Sequence, residues 1–407
     1  MTFKVKTKGQ IEGEKLLVPK LRFKEFKNEW NEISLKKLLS FKNGINGDKD
    51  SYGYGVKYIS VGDILNNTYI TYDKIKGLID INDKTLKENS VEYGDMVFQR
   101  SSETFNDIGQ ANVYLDKKQI ATFGGFVIRG KKIGNYNPLF FNYLLKSPCN
   151  RKKVIVKGAG AQHYNISQEE LEKIKVNFTG EEEQVKIANL FYSLDQKIEL
   201  QKQKIETLKI YKKGLIQRIY NRTWNNKIKM EEILIQKAIK NTNDEIHSVY
   251  SVNNKDGFIL QTEQFKDRIV ASEDTRNYKV VEKNDFAYNP ARINVGSIAR
   301  MKQDIKGIIS PMYLCFKCNK KILPEYLEYF FESSKFTYEM SKRLEGSVRM
   351  CLSYESMLNI PIELPNKNEQ QKISNFLNSL SNKIKLEEKK FMELNKLKKG
   401  LLQKMFI

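Results

Sequence analysis

Short stretches that mix basic, amide and aromatic side chains recur along the chain. They are FKNGINGDKDSYGYG (41–55), FQRSSETFN (98–106), GAGAQHYN (158–165), SEDTRNYK (272–279), YNPARINVGS (288–297) and GSVRM (346–350). Arginine can bond to the guanine edge and asparagine or glutamine to the adenine edge, while lysine and backbone amides hold phosphates. Aromatic rings can stack on bases. These residue types suit nucleic-acid recognition, although each residue taken singly could equally be a solvated loop residue.

The candidate nucleic-acid contacts in these stretches are basic, amide and aromatic residues together with three serines. Arg100, Arg292 and Arg349 are the strongest among them. The full set is Lys42, Asn43, Asn46, Lys49, Tyr52, Tyr54, Arg100, Ser101, Ser102, Gln162, His163, Tyr164, Arg276, Asn289, Arg292, Asn294, Ser347 and Arg349.

Residues for catalysis or metal binding are scarce. The two histidines, His163 and His247, occupy non-equivalent places, so a histidine-based acid–base or metal site is poorly supplied. Cys315 and Cys318 have metal-ligand spacing, but the sequence contains no second pair of cysteines that would complete such a site. We therefore predict no catalytic residue and no metal site in this chain.

Nucleotide motifs are equally weak. The stretch VIVKGAGAQHY (154–164) lacks the third glycine of a dinucleotide-binding turn, and the chain contains no phosphate-binding loop of the G-x-x-x-x-G-K-[ST] type. Tyr288-Asn289-Pro290-Ala291 faintly resembles the amide-plus-proline motif of amino-methyltransferases but lacks the following Pro-aromatic pair. These observations favour a binding protein over an enzyme.

Composition points in the same direction. Lys and Arg number 70 against 49 Asp and Glu, a net charge of +21, which is typical of proteins that bind a polyanion. A general lysine-rich bias would account for part of this excess. The N-terminus has no signal-peptide pattern, no apolar run approaches the length of a membrane span, and the four cysteines suit a reducing compartment. We expect a cytoplasmic protein with no membrane association.

The chain contains an internal sequence repeat. Residues 183–220 align with 369–406 at an offset of 186, and 17 of the 38 pairs are identical without a gap. The match continues upstream, where YGDMVFQR (93–100) aligns with KNDFAYNP (283–290) at a slightly different offset. The segments 21–90 and 223–280 share little. These observations indicate an internal duplication in which the N-terminal part of each half has diverged.

The copied segment has the pattern of a long helix. Apolar residues alternate at steps of four and three, and two polar slots are kept in both copies: Gln201 and Lys212 in the first, Glu387 and Lys398 in the second. We expect the two helices to pack on each other rather than only on their own domains. The predicted spacer positions are Ile187, Phe191, Leu194, Ile198, Ile205, Leu208, Leu215, Ile219, Ile373, Leu377, Leu380, Ile384, Phe391, Leu394, Leu401 and Met405.

The front of each half reads as a mixed α+β globule. Runs such as GDMVFQR (94–100) and MYLCFKC (312–318) indicate strands, and PLFFNYLLKSP (138–148) and PEYLEYFFESS (324–334) indicate helices that begin at proline. The predicted fold class is α+β, with two mixed α/β domains in tandem and a pseudo-twofold repeat. The predicted segments are an N-terminal extension at 1–20, domains at 21–179 and 223–365, and long helices at 180–222 and 366–407.

This pattern resembles the specificity subunit of type I restriction–modification enzymes. The resemblance spans about Leu21 to Phe406 and rests on EQ-x-K-I and KKGL-[IL]-Q in both helices, and on YISVGDI (58–64), YGDMVFQR and KNDFAYNPARINVGSIA (283–299). It implies two target recognition domains that each read one half of a bipartite, asymmetric target in double-stranded DNA. It also implies that the helices form an antiparallel coiled coil that sets the distance between these domains.

The resemblance further implies a division of labour in a system that defends against foreign DNA. Two modification (methyltransferase) subunits would bring S-adenosylmethionine and adenine methylation, and restriction (translocase and endonuclease) subunits would bring ATP and Mg²⁺, so this chain would hold no cofactor. Two alternatives stay open. One is a stand-alone coiled-coil DNA-binding regulator or scaffold without enzyme partners, and the other is an autonomous nuclease or methyltransferase.

Overall fold

The computed structural model describes the backbone of residues 3–5 and all of residues 17–160, 163–254, 256–265, 271–346 and 349–407. These residues form two compact units. Unit 1 comprises the described residues within 1–202 and 389–407, and unit 2 comprises those within 203–388. No helix in the described part of the chain is long and apolar enough to cross a membrane.

Unit 1 is a mixed α+β body. Its strands are β1 Phe3–Val5, β2 Leu21–Phe23, β3 Asn31–Ser34, β4 Leu39–Asn43, β5 Tyr52–Ile59, β6 Gly77–Ile79, β7 Met96–Gln99, β8 Ser101–Ser102, β9 Ala111–Val113, β10 Thr122–Phe123, β11 Val127–Lys132, β12 Tyr164–Asn165 and β13 Lys175–Phe178. Its short helices are α1 Val61–Asn66, α2 Asp83–Glu88, α3 Pro138–Lys146, α4 Pro148–Ile155 and α5 Gln168–Glu172.

Two sheets carry the loops of unit 1. One is antiparallel in the order β4-β11-β7-β9, and the other has the order β10-β5-β6 with β10 and β5 parallel. The strand pairs β1-β2, β12-β8 and β13-β3 complete the set. Buried side chains such as Phe98 and Ile128, which face each other across β7 and β11, place the main core behind the antiparallel sheet.

Unit 2 repeats this arrangement with fewer strands. They are β14 Lys227–Lys229, β15 Leu234–Gln236, β16 Val249–Asn253, β17 Gly257–Leu260, β18 Lys279–Val281, β19 Phe286–Tyr288, β20 Ile298–Arg300, β21 Gly307–Ile309, β22 Leu314–Cys318 and β23 Pro361–Glu363. The short helices are α7 Gln261–Gln264, α8 Pro324–Phe331, α9 Ser334–Ser341 and α10 Tyr354–Leu358. The sheets have the orders β15-β22-β19-β20, β17-β16-β21-β18 and β14-β23.

Two long helices follow the globular portions, α6 (Glu181–Tyr220) and α11 (Lys367–Met405). The fourth residue of each is a buried glutamine, and the two glutamines make the same kind of hydrogen bond. Gln184 Oε1 accepts from the Asn137 amide at 2.9 Å, beside the start of α3, and Gln370 Oε1 accepts from the Leu323 amide at 2.9 Å, beside the start of α8. The glutamine of the repeated Glu-Gln pair therefore ties the start of α6 to the start of α3 and the start of α11 to the start of α8.

The end of each copied helix is buried among the aromatic residues of a unit. In unit 1, the Phe406 ring lies 5.7 Å from the Phe140 ring and 5.8 Å from the Phe191 ring. In unit 2, the Tyr220 ring lies 5.0 Å from the Tyr326 ring, and its hydroxyl donates to the Tyr326 carbonyl at 2.5 Å. Residues 389–407 thus complete the core of unit 1, and residues 203–220 that of unit 2.

Within each unit the helical segments run antiparallel. In unit 1, Phe191 of α6 stacks on Phe406 of α11, while Asp195, one turn further along α6, pairs with Lys398, two turns back along α11. In unit 2, Lys204 of α6 pairs with Glu387 of α11 at 2.8 Å, and Ile216, further along α6, lies in the same buried core cluster as Leu377, further back along α11. The predicted fold class is confirmed: two mixed domains in tandem, each followed by a long helix, with the helices packed antiparallel.

The predicted spacer positions differ in their burial. Ile187, Phe191, Leu194, Ile205, Leu377, Leu380, Ile384 and Met405 are buried, and Ile198, Leu208, Leu215, Ile219, Ile373, Phe391, Leu394 and Leu401 are half-buried. At the end of α6 the buried residues are Ile216 and Tyr220 rather than Leu215 and Ile219. The heptad spacing does not predict this change of face, because there the helix packs on the globular core of unit 2.

Candidate nucleic-acid interface

Three loops of unit 1 meet at the ends of β4, β7 and β10. Ile45 forms a β-bridge with Gly124, and the Arg100 guanidinium donates to the Gly125 carbonyl at 3.3 Å. A Cβ atom on Gly125 would lie 1.9 Å from Asn46 Oδ1, so the two loops are in close contact there. Both Arg100 and Asn46 are exposed. The structure therefore brings two of the predicted residues to one surface.

A second group of predicted residues lies beside Arg100. Ser102 and Ser101 of β8 pair with Tyr164 and Asn165 of β12, and the Tyr164 ring lies 5.3 Å from the Phe105 ring. Ala159 and Asn165 bridge to close a turn that begins with Gly160 at φ +136°, where only glycine fits easily. His163 is exposed in this turn, and Gln162 lies outside the described residues.

The remaining candidates of unit 1 border this surface. Lys42 donates to the Glu88 carbonyl at 3.1 Å, and Asn43 is half-buried at the end of β4. The Tyr52 hydroxyl accepts from the Gly47 amide at 3.0 Å, and its ring packs on Tyr58. Lys49 is exposed just before β5, and Tyr54 is exposed near the start of β5.

Unit 2 builds its loop after β19. The Asn289 amide nitrogen donates to the Ser297 carbonyl at 3.0 Å, and the Arg292 backbone amide donates to the Asn289 carbonyl at 3.0 Å, which folds the loop into a 3₁₀ turn at Ile293–Val295. The Arg292 and Asn294 side chains are exposed. Asn289 Nδ2 lies 3.6 Å from Met312 Sδ, so this loop reaches the turn between β21 and β22.

The other candidates of unit 2 belong to neighbouring loops. Arg349 is exposed in a turn that the Glu345–Cys351 bridge closes and that contains Gly346 at φ +116°. The Arg276 guanidinium bonds to both carboxylate oxygens of Asp274, which neutralises part of its charge. Ser347 lies outside the described residues.

The two units present these loops at equivalent points. The Arg100 carbonyl accepts from the Ile166 amide at 3.1 Å, and the Pro290 carbonyl accepts from the Leu352 amide at 3.1 Å. Gly160 and Gly346 begin matching turns. The backbone frame is thus shared while the exposed side chains differ.

Sequence reasoning missed three residues of these loop surfaces, one in unit 1 and two in unit 2. Phe126 and Met312 stand exposed at turns, although Met312 is the first residue of the run MYLCFKC (312–318) that indicates a strand. Lys279, whose ammonium donates to the Pro311 carbonyl at 3.1 Å, ties the 272–279 stretch to the Met312 turn. The glycine pair Gly124-Gly125 and the proline Pro311 were the available turn signals.

The loop surfaces of the two units offer hydrogen-bond donors, cations and aromatic rings. Burial raises the pKa of the Cys315 and Cys318 thiols to about 12, so both stay protonated at neutral pH. In the described part of the chain, no three His, Cys, Asp or Glu residues are grouped so that they could hold a metal ion.

Comparison with known proteins identifies the family. The family model described as the type I restriction modification DNA specificity domain matches twice, at residues 27–209 and 226–396. The chain belongs to this specificity-subunit family. The predicted resemblance is confirmed, and the two matches correspond to the two halves of the repeat.

Two specificity subunits of known systems are similar to this chain, one over almost its whole length and the other over about seven tenths of it. A protein of Methanocaldococcus jannaschii assigned as the specificity subunit of the type I restriction enzyme MjaX is 23% identical, covering 93% of each chain. The MjaVIII specificity subunit from the same organism is 25% identical over 71% of this chain and 74% of its own.

Solved structures share the fold. The S subunit of the type I restriction–modification system from M. genitalium matches with a TM-score of 0.55 and 16% identity, covering 96% of this chain and 99% of that one. A chain from a structural study of assembly and conformational transition in a type I restriction–modification system matches with a TM-score of 0.57 and 11% identity, covering 92% and 96%.

Proposed function

We propose that this specificity subunit reads a bipartite, asymmetric sequence in double-stranded DNA, with one half-site for each unit. The observation that carries the proposal is the pair of loop surfaces at equivalent points of the two units, around Arg100 and around Arg292. Their frames match and their exposed side chains differ, so each would recognise different bases. The net charge of +21 supplies the non-specific attraction to DNA that such a reader needs.

We also propose that the chain is a non-catalytic scaffold for modification and restriction subunits. The copied helices carry exposed apolar residues at matching positions: Leu200 with Leu386, and Tyr211 with Leu397. Repeated exposed positions would offer two copies of one partner the same contacts. Adenine methylation with S-adenosylmethionine, and translocation and cleavage with ATP and Mg²⁺, would then belong to the partner subunits.

The test of target reading is to map methylated adenines across a genome with and without this gene, in the presence of type I modification subunits. A methylated sequence with two different halves and a fixed gap, present only with the gene, is the expected result. Methylation that does not depend on the gene would contradict the proposal.

Purification tests the scaffold. The chain is expected to form a stable complex with the methyltransferase subunits and to show no methylation or cleavage activity alone with Mg²⁺ or S-adenosylmethionine. Sequence-specific binding by the lone chain at physiological salt, with no complex formed, would instead identify a stand-alone regulator. Activity of the lone chain would identify an autonomous enzyme.

A further inference from the structure

At equivalent positions of the two units, a large apolar side chain is exposed to solvent. Phe126 of unit 1 is 68% exposed and Met312 of unit 2 is 61% exposed. Each stands in a turn that leads into the strand that crosses the antiparallel sheet. The turn is closed by a bond from the Val127 amide to the Gly124 carbonyl at 2.8 Å in unit 1, and from the Tyr313 amide to the Ser310 carbonyl at 3.1 Å in unit 2.

A single exposed apolar residue needs no explanation, because all protein surfaces carry some. A recurrence at one point of two diverged domains does need one. The turn sequences are GGF in unit 1 and SPM in unit 2, so no residue is shared, yet both end in a large apolar side chain. The recurrence indicates that the apolar side chain at this position contacts a binding partner.

The backbone beneath Phe126 is fixed. The Arg100 amide donates to the Phe126 carbonyl at 2.9 Å, and the Arg100 guanidinium donates to the Gly125 carbonyl at 3.3 Å. A Cβ atom on Gly124 would lie 2.5 Å from the Tyr58 ring, so the turn is packed from below as well. The exposed ring is therefore presented by a rigid support.

Polar groups that suit DNA flank both side chains. Arg100 and Asn46 adjoin the Phe126 turn, and Asn289 and Lys279 adjoin Met312, with Lys279 Nζ 3.1 Å from the Pro311 carbonyl. An apolar group between cations and amides matches a DNA groove, in which thymine methyl groups and base faces lie between the phosphates.

We propose that Phe126 and Met312 are specificity-determining contacts that each place an apolar side chain against bases of the half-site read by its unit. This inference rests on the proposed function, because it requires that the loop surfaces face DNA. The base feature contacted is a thymine methyl group or the face of a base-pair step.

The experiment uses the complex with modification subunits and a duplex that carries the methylated target. Phe126→Ala is expected to weaken binding at least about tenfold and to relax base preference in one half-site, because apolar burial is lost. Met312→Ala should do the same in the other half-site. Phe126→Leu, which keeps apolar bulk, should restore much of the affinity.

Matched controls are the exposed residues Ile133, just after β11, and Ile305, just before β21, which lie at the opposite ends of these strands. Ile133→Ala and Ile305→Ala should leave affinity and base preference unchanged. Each thymine of the target is replaced in turn by uracil, which lacks the methyl group. If Phe126 contacts a thymine methyl group, one of these replacements should lower the binding affinity of the wild type and leave that of Phe126→Ala unchanged. If Phe126 instead contacts the face of a base-pair step, the losses in binding free energy caused by Phe126→Ala and by a base-pair change at that step should not be additive.

Two results would overturn the inference while the proposed function stands. In the first, the wild type selects its target, and Phe126→Ala and Met312→Ala keep both affinity and preference. In the second, each variant weakens target and random DNA equally, which would make the turn a non-specific contact. A wild-type complex that prefers no duplex would refute the proposed function itself.

Discussion

The ammonium group of Lys398 lies 2.5 Å from a carboxylate oxygen of Asp195, inside unit 1. The other carboxylate oxygen of Asp195 accepts from the Tyr143 hydroxyl at 2.7 Å. The equivalent lysine of unit 2, Lys212, lies 5.0 Å from the centre of the Tyr329 ring and pairs with Glu332 at 2.9 Å. The lysine slots of the repeated seam therefore fix the helices against a tyrosine of each unit, with a different carboxylate in each.

Removal of Lys398 should destabilise unit 1. Lys398→Ala leaves the buried Asp195 carboxylate without its cation, and we expect a loss of about 1–3 kcal/mol in the free energy of unfolding. Urea denaturation of the wild type and variant measures it. Lys399→Ala, an exposed lysine one residue along the same helix, is the control and should change stability little. Equal losses for both variants would contradict the assignment.

The stability of unit 1 should rise with pH through Lys146. Burial, together with the nearby charge of Lys398, lowers the pKa of Lys146 to about 7. Its ammonium nitrogen bonds to the Thr68 carbonyl at 2.7 Å and to Asn112 Oδ1 at 3.2 Å. The unfolded chain, with an ordinary lysine pKa, binds more protons above pH 7, so stability increases as pH rises from about 7 towards 10.

Lys146→Met keeps the apolar stem and removes the titrating group. Relative to this variant, the wild type should gain up to about 1.4 kcal/mol per pH unit between pH 7 and 9. Urea midpoints at pH 6.5, 7.5, 8.5 and 9 measure the gain. Lys152→Met, an exposed lysine on α4, should follow the wild-type curve. Parallel curves for the wild type and Lys146→Met would show that Lys146 titrates normally.

The repeat and its helical seam were predictable because they are local in sequence. A spacing of three and four residues, kept in two copies, predicts the helices whatever they pack on. The anchoring of Phe406 beside Phe140 was not predictable, because nothing in the sequence relates residues 266 positions apart. The same limit applies to the site: Arg100 was predictable from its residue type, whereas the exposure of Phe126 depends on how the turn packs on Asn46 and Tyr58.

Arg292 should act on one half-site only. If Arg292 reads a base, Arg292→Ala is expected to weaken binding of the complex by about 1–3 kcal/mol and to relax the preference at one position. Binding to duplexes with single base-pair changes measures this. Lys320→Ala removes the same charge beyond the far end of β22 and should leave the preference intact. Equal weakening by Arg292→Ala on all duplexes would identify a phosphate contact.

Gly214 and Gly400, the glycines of the KKGL-[IL]-Q motif in its two copies, lie inside long helices, where glycine is unfavourable. A Cβ atom at either would meet none of the described residues within 4 Å. Gly214→Ala and Gly400→Ala should therefore each stabilise the chain by about 0.5–1 kcal/mol, as measured by urea denaturation. Gly109→Ala is the opposing control, since Gly109 has φ +63° and its Cβ would lie 2.5 Å from Val154, so it should destabilise.

The glycine variants also report on the partner surface. The fold of this chain does not require a glycine at Gly214 or Gly400, and both copies of the helix nevertheless keep it. If a partner subunit packs closely there, the variants should be more stable alone and yet bind modification subunits more weakly. Stabilised variants with unchanged complex affinity would show that no partner approaches these positions, and destabilised variants would show that the helix is more crowded than its described neighbours indicate.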